Sequence, residues 1–213
     1  MKNKKFEKRG YKFEVRSEKR AEGKSTLIGQ PIVYNSPTDI GGWFREIIDE
    51  GALDGANLKD VPLLVNHNDE MIPVARSRNN TPNSTMRLVI NERGLGIEAD
   101  IDTERNMTAR ALDSAVDRGD LDGMSMMFTV DEESWEDLEK DYPTRHIKKF
   151  GMIAEVSAVT WPAYKATSIQ QRDDKALENA RAALESARLR SKATPEGAEL
   201  ELLKAKANLI SKF

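Results

Sequence analysis

Apolar segments of strand length recur between residues 11 and 161, and a single segment of helical period interrupts them. The strand pattern, short apolar runs or apolar and polar residues in alternation, occurs at residues 26–34, 61–65, 72–75, 86–90, 95–101, 124–130 and 153–161. Residues 103–119 instead predict a helix, with Thr103 as N-cap and Gly119 as its stop. Because strands and helices do not alternate regularly, we expect an α+β fold with a barrel-like antiparallel core rather than a doubly wound sheet.

The two ends of the chain differ from this middle part in composition and in the spacing of their apolar residues. Residues 2–24 hold ten Lys or Arg against four acidic residues, which predicts either a basic arm at 1–10 that meets an acidic partner or a solvated edge strand protected by its lysines. Beyond residue 170 apolar residues recur at helical spacing in two stretches, Leu177 to Ala187 and Leu200 to Ile210. Their narrow, alanine-rich stripes predict a helical tail over 170–213 that needs a partner surface.

Composition excludes several classes of site. The 213 residues contain no cysteine and only two histidines, which argues against disulfides, thiol nucleophiles and multi-histidine metal centres. The net charge of −3 gives no general case for nucleic-acid binding, and no apolar run is long enough to span a membrane. No apolar signal segment follows the basic start. We therefore expect a cytoplasmic, cofactor-free chain with one main domain over 11–169.

Three polar residues lie within or at the end of apolar segments, where a polar side chain is costly to bury unless it is paired. His67 follows the segment 61–65, Ser125 is the second residue of 124–130, and Glu155 lies inside 153–161. These are the residue types of a general base, a nucleophile and an acid that orients the base. A free hydroxyl is a poor nucleophile and needs such a base, so the set is typical of a serine peptidase.

Each of the three residues also has a purely structural explanation. A histidine at a strand end is often incidental, a serine often only fills space, and a glutamate in a strand is often paired at an edge. The other histidine, His146, lies in a basic, surface-like context, which makes His67 the better candidate for the base. Asp69, Glu70 and His146 remain rivals of Glu155 for the third position. The acidic segment 131–141 is predicted to be an exposed excursion from the sheet.

The order and surroundings of these segments resemble the head maturation (prohead) proteases of tailed bacteriophages, which are distantly similar to herpesvirus assemblins. The resemblance covers roughly residues 11–168. It rests on Leu-Leu-Val-Asn-His-Asn at 63–68, Gly-Leu-Gly-Ile at 94–97, Gly-Met-Ser-Met-Met-Phe at 123–128 and Glu-Val-Ser-Ala-Val-Thr-Trp-Pro-Ala at 155–163. Phe-Arg-Glu-Ile-Ile at 44–48 followed by Gly-Ala-Leu at 51–53 adds to it.

The resemblance implies a homodimeric, assemblin-like β-barrel protease with flanking helices. It also implies the roles of the site residues, with Ser125 as nucleophile, His67 as general base and Glu155 as third member. It also implies cleavage of scaffold or major-capsid-protein segments, and of the enzyme itself, inside the assembling prohead in the host cytoplasm. The helical tail is then a predicted self-cleavage substrate. Two alternatives remain: a non-catalytic scaffold or assembly protein on the same fold, and a barrel that binds a small molecule.

Overall fold

A computed structural model of the protein describes residues 5–11, 15–20, 24–160, 174–193 and 203. The described residues form two β-sheets and two helices, which confirms the α+β class. The first sheet contains β1 (Glu7–Tyr11), β4 (Thr38–Ile40), β5 (Phe44–Ile48), β6 (Val61–Val65), β7 (Ala75–Ser77), β10 (Gly123–Glu136) and β11 (Thr144–Val159). The second contains β2 (Val15–Lys19), β3 (Lys24–Val33), β8 (Met86–Asn91) and β9 (Gly94–Asp102). The helices are α1 (Met107–Asp117) and α2 (Asp174–Lys192).

Strand β11 organises the first sheet because it pairs with three neighbours. It runs antiparallel to β10 along its length, while its beginning pairs with β5 and its end with β6, both in parallel. The sheet order is β1-β10-β11-β5-β4, and β7 extends β6. The first sheet is therefore mixed, whereas the second sheet is antiparallel throughout. The pairings among the described strands close neither sheet into a barrel, so the barrel-like part of the prediction is not confirmed.

Alternation along β9 shows why these segments form strands. Leu95, Ile97, Ala99 and Ile101 are buried, while the intervening Glu98 and Asp100 are exposed. Side chains of a strand point alternately to its two faces, so this sequence places an apolar face on the core. The same core receives Met124, Met126 and Phe128 from β10 and the apolar face of α1. Residues 91–94 join β8 to β9 as the predicted hairpin.

Helix α1 confirms the predicted helix but not its first residue. Thr103 was the predicted N-cap, whereas the side chain of Asn106 accepts the amides of Thr108 and Ala109. Asp102 Oδ1 takes the amides of residues 104 and 105, which holds Thr103 in a turn ahead of the helix. Gly119, with φ +73°, ends the helical region as predicted.

The predicted excursion at 131–141 is wrong for most of its length. Strand β10 continues to Glu136, and β11 starts at Thr144, so only residues 137–143 connect them. Several bulges bend this ribbon, and its acidic residues face solvent or arginine partners rather than leaving the sheet.

Strand β1 and helix α2, which lie towards the two ends of the chain, both contact the first sheet. Strand β1 is its outermost strand on one side, so part of the predicted basic arm is an edge strand. Ala180 and Leu184 of α2 pack with Ile40 and Phe44 in a small second core. The second predicted tail helix, from Leu200 to Ile210, lies almost wholly outside the described residues. No helix within the described ranges has the length and apolar character needed to cross a bilayer.

Candidate active site

Three strands bring the predicted site residues to one face of the first sheet. Ser125 on β10 lies directly opposite Ser157 on β11. Cross-strand partners project to the same face, and Glu155, two residues before Ser157, shares that face. Strand β6 lies on the other side of β11, with Leu64 next to Ser157, and His67 follows its end. The site thus needs the mixed pairing of β11, since its two neighbours supply the serine and the histidine.

A tight turn after β6 carries His67. Asn66 and His67 both have left-handed backbones, with φ 52° and 56°, and the amide of Asn68 closes the turn on the carbonyl of Val65 at 3.1 Å. Asparagine tolerates this conformation better than histidine does, and strained backbones of this kind are concentrated at functional sites. The Asn66 side chain accepts the amide of Thr160 at 3.0 Å, which ties the turn to the end of β11.

His67, Glu155 and Ser157 form a closed set of hydrogen bonds. Nδ1 of His67 lies 2.5 Å from Oε1 of Glu155, and Ser157 Oγ donates to Oε2 of the same carboxylate at 2.6 Å. The Ser157 hydroxyl in turn accepts the His67 backbone amide at 3.2 Å. The Glu155 side chain is only 3% exposed and that of His67 12%. The carboxylate therefore holds the imidazole by Nδ1, which leaves Nε2 as the nitrogen for proton transfer.

Ser125 lies next to this set but donates its hydrogen elsewhere. Its hydroxyl is buried and donates to the carbonyl oxygen of Arg9 on β1 at 2.8 Å. Ser125 is therefore flanked by β1 on one side and by Ser157 on the other, and the hydroxyl is directed to the β1 side. Within the described residues no hydrogen bond joins Ser125 to His67.

The rival residues for the third position lie elsewhere. Asp69 and Glu70 are exposed, and the described contacts of the His67 ring are with Glu155. His146 lies at the opposite end of β11, where its Nδ1 pairs with Asp49 at 2.7 Å. Of the candidates from sequence, Glu155 is the one that contacts His67.

Sequence reasoning missed a cluster of buried ion pairs on the opposite face of the same sheet. We call it the arginine–glutamate cluster. Its members are Glu7, Arg9, Glu46, Glu133 and Arg145. The two arginine side chains are at most 1% exposed. The sequence contains one indication of this cluster. In the alternating segment 44–48, Glu46 lies on the buried face between Phe44 and Ile48.

The cluster shifts the pKa values of Glu7 and Arg145. Burial raises the pKa of Glu7, but the guanidiniums of Arg145 and Arg9 more than offset this and lower it to about 2. Burial lowers the pKa of Arg145, and the adjacent Glu7 and Glu46 carboxylates raise it overall above its usual range. Glu7 and Arg145 therefore remain ionised at neutral pH, and β1 is held to the sheet by charge as well as by its backbone.

The arrangement suits acid–base and nucleophilic chemistry. A histidine oriented by a buried carboxylate, beside a serine on the neighbouring strand, has the parts of an acyl-transfer site. Among the described side chains there is no group of three or more His, Asp or Glu that would hold a metal ion.

Comparison with known proteins identifies one family. The sequence model of the caudovirus prohead serine protease family matches residues 11–181, which include all three candidate site residues. No curated protein and no solved structure matches the chain.

Proposed function

Because the chain belongs to the caudovirus prohead serine protease family, we propose that it is a viral serine endopeptidase that cleaves scaffold or capsid-protein segments inside the prohead during capsid maturation. The observation that carries this proposal is the contact of His67 with the buried Glu155, beside Ser125 on the adjacent strand. The family supports a role in viral capsid maturation, and the substrates are part of our proposal.

The mechanism assigns one role to each of the three residues. Ser125 Oγ attacks the scissile carbonyl carbon while His67 Nε2 takes its proton, which gives a tetrahedral intermediate and an imidazolium. Glu155 accepts the Nδ1 hydrogen, fixes the tautomer and stabilises the imidazolium. His67 then returns the proton to the leaving amine, and a water molecule repeats the sequence on the acyl-enzyme, releasing Ser125 and a carboxylic acid.

Ser157 is assigned a positioning role in this mechanism. Its hydroxyl bonds both the backbone of His67 and the carboxylate of Glu155, so it fixes their relative position. Ser157 is fully buried, with 0% of its surface exposed, so water does not compete for these hydrogen bonds. The side chain does not contact the reacting carbonyl in this assignment and acts through its two neighbours.

The proposal extends to the organisation of the chain. Residues 11–169 form the protease domain, and the tail over 170–213 is a scaffold-like segment removed by self-cleavage. The enzyme acts as a homodimer inside the assembling prohead, in the host cytoplasm, on the major capsid protein and its scaffolding segment.

Coexpression with the capsid protein encoded beside this chain tests the proposal. Wild type and Ser125→Ala are compared by intact mass of both proteins. Defined truncations of the capsid protein with wild type alone are the expected result. Identical masses in the two samples, despite assembled shells, would overturn the protease assignment and favour the non-catalytic scaffold.

A further inference from the structure

Strand β1 occupies the edge of β10 that carries the nucleophile. Gly10 lies directly opposite Ser125, and the carbonyl of the preceding Arg9 receives the Ser125 hydroxyl hydrogen. On the other side of Ser125, Glu155 lies on β11 and His67 lies beyond β11, after the end of β6. As long as β1 stays in place, the hydrogen that His67 has to remove is directed away from it.

We propose that this edge of β10 is the docking edge for the extended substrate peptide and that β1 is the segment of the chain which occupies it at rest. The inference rests on the proposed function. An extended peptide added to a sheet edge gains main-chain hydrogen bonds, and pockets for alternate side chains supply specificity. The Arg9 carbonyl lies 2.8 Å from Ser125 Oγ, so a strand at this edge brings a peptide carbonyl within reach of the nucleophile.

The sequence of β1 indicates which peptides fit. Gly10 places no side chain on the face that carries Ser125, while Glu7 and Arg9 point to the opposite face, into the arginine–glutamate cluster. A substrate strand in the same register therefore carries a small residue opposite Ser125. On the other face, an arginine next to it would meet the Glu46 carboxylate, which now binds Arg9 at 2.7 Å.

The way in which β1 is held makes it displaceable. In the part of β1 whose burial is described, residues 7–10, the buried side chains are those of Glu7 and Arg9, so ion pairs and strand hydrogen bonds anchor this part of the strand. Breaking these ion pairs without replacing them is costly, because it leaves Glu46 and Arg145 without the partners that β1 supplies. A peptide that supplies an equivalent backbone and equivalent charges can therefore replace it.

Helix α2 is connected to the ion pairs that hold β1. Arg190 of α2 pairs with Glu133 at 2.8 Å, and Glu133 holds Arg145, which binds Glu7 of β1. Asn179 of α2 also reaches the carbonyl of Phe6, just before β1. Removal of the tail therefore loosens β1 and favours the open edge.

A reversible disulfide tests whether β1 must leave. Lys8 and Met127 are paired across β1 and β10 and are both half-buried, and the natural chain has no cysteine. The purified Lys8→Cys/Met127→Cys variant is incubated with the capsid protein, oxidised or reduced. We expect the oxidised form to truncate the capsid protein at least roughly tenfold more slowly than the reduced form. Equal rates would overturn the proposal.

A matched disulfide controls for cross-linking itself. Arg87→Cys/Glu98→Cys joins a paired position of β8 and β9 in the other sheet. Its oxidised and reduced forms are expected to cleave at the same rate. If they differ as much as the β1–β10 pair, the effect does not come from β1 and the proposal fails.

A second measurement needs no catalysis and so separates this inference from the proposed function. In Ser125→Cys the new thiol is the only one in the chain, and its alkylation by iodoacetamide reports how often β1 opens. Adding Glu7→Gln, which weakens the anchor, is expected to raise the rate roughly tenfold, whereas Glu18→Gln on β2 leaves it unchanged. Unchanged alkylation with Glu7→Gln would show that β1 is a fixed strand, whatever the cleavage assay gives.

Discussion

Replacing Glu155 by glutamine tests the third catalytic role through a specific change of hydrogen bonding. Each carboxylate oxygen now has one partner: Oε1 faces His67 Nδ1, and Oε2 accepts the Ser157 hydroxyl. In the Glu155→Gln variant one of the two atoms becomes an NH₂ group, which donates and cannot accept. The effect on activity therefore depends on which way the new amide turns.

Ser157 determines this orientation. If the amide oxygen faces Ser157, every hydrogen bond is kept, but the NH₂ donates to Nδ1 and forces the imidazole hydrogen onto Nε2. In the reverse orientation the Ser157 hydroxyl, which already accepts the His67 amide, also accepts the NH₂, and its own hydrogen loses its acceptor. Leaving that fully buried hydrogen unpaired costs about 1–3 kcal/mol. The unproductive tautomer is therefore favoured by roughly 5- to 150-fold.

The expected loss for Glu155→Gln is about 10²- to 10⁴-fold, because the wrong tautomer and the missing charge both act on proton transfer. The rate of Ser125 acylation by a fluorophosphonate, followed by intact mass, measures it, with Ser125→Ala as the blank. Ser157→Ala is expected to slow the wild type yet to speed the Glu155→Gln variant, since it frees the amide to turn. A wild-type rate for Glu155→Gln would refute the third role. Slowing by Ser157→Ala in both backgrounds would refute the orientation argument.

Three further predictions concern stability. Arg145 lowers the pKa of Glu7 from 4.5 to about 2 despite burial, so the Glu7 carboxylate stabilises the fold above about pH 4.5 and this stabilisation is lost as the pH falls towards 2. Urea unfolding across that range should show that the free energy of unfolding falls by about 3 kcal/mol. In the Glu7→Gln variant most of this pH dependence should be absent. Asn66→Ala should cost about 1–3 kcal/mol in thermal unfolding, because it loses the bond to Thr160 and puts a Cβ-bearing residue without a polar side chain at φ 52°, whereas Asn66→Gly should cost less. Leu184→Ala should weaken the docking of α2 by about 2–3 kcal/mol and raise hydrogen exchange in that helix without affecting β9.

Local sequence patterns predicted the elements whose cause is local. The β8–β9 hairpin follows from a turn sequence between two alternating segments, and α1 follows from apolar residues at helical spacing. The start of α1 was misplaced because Asp102, outside the helix, holds Thr103 in a turn and leaves the cap to Asn106. A choice between Thr103 and Asn106 as the N-cap requires the geometry at the end of β9, where Asp102 lies.

Features that depend on distant partners were not predictable in the same way. The acidic composition after residue 130 predicts a solvent-exposed segment. Glu133 nevertheless lies in β10, where its carboxylate accepts a hydrogen bond from the guanidinium of Arg145 on β11. The parallel pairing of β11 with both β5 and β6 leaves no local pattern in the sequence. The contact of His67 with Glu155 follows from that pairing, while the bond from Ser125 to the carbonyl of Arg9 follows from the placement of β1.

Because the connection between β1 and β2 is short, the access of a substrate peptide to Ser125 depends on the concentration of that peptide. Only residues 12–14 separate the two strands, so β1 cannot diffuse away and competes for its edge as a tethered ligand at an effective concentration on the order of millimolar. In the proposed mechanism a dilute capsid protein displaces such a ligand rarely, whereas many copies confined with the enzyme in one shell reach comparable concentrations. Assembly alone, without any chemical modification, would then be enough to start proteolysis.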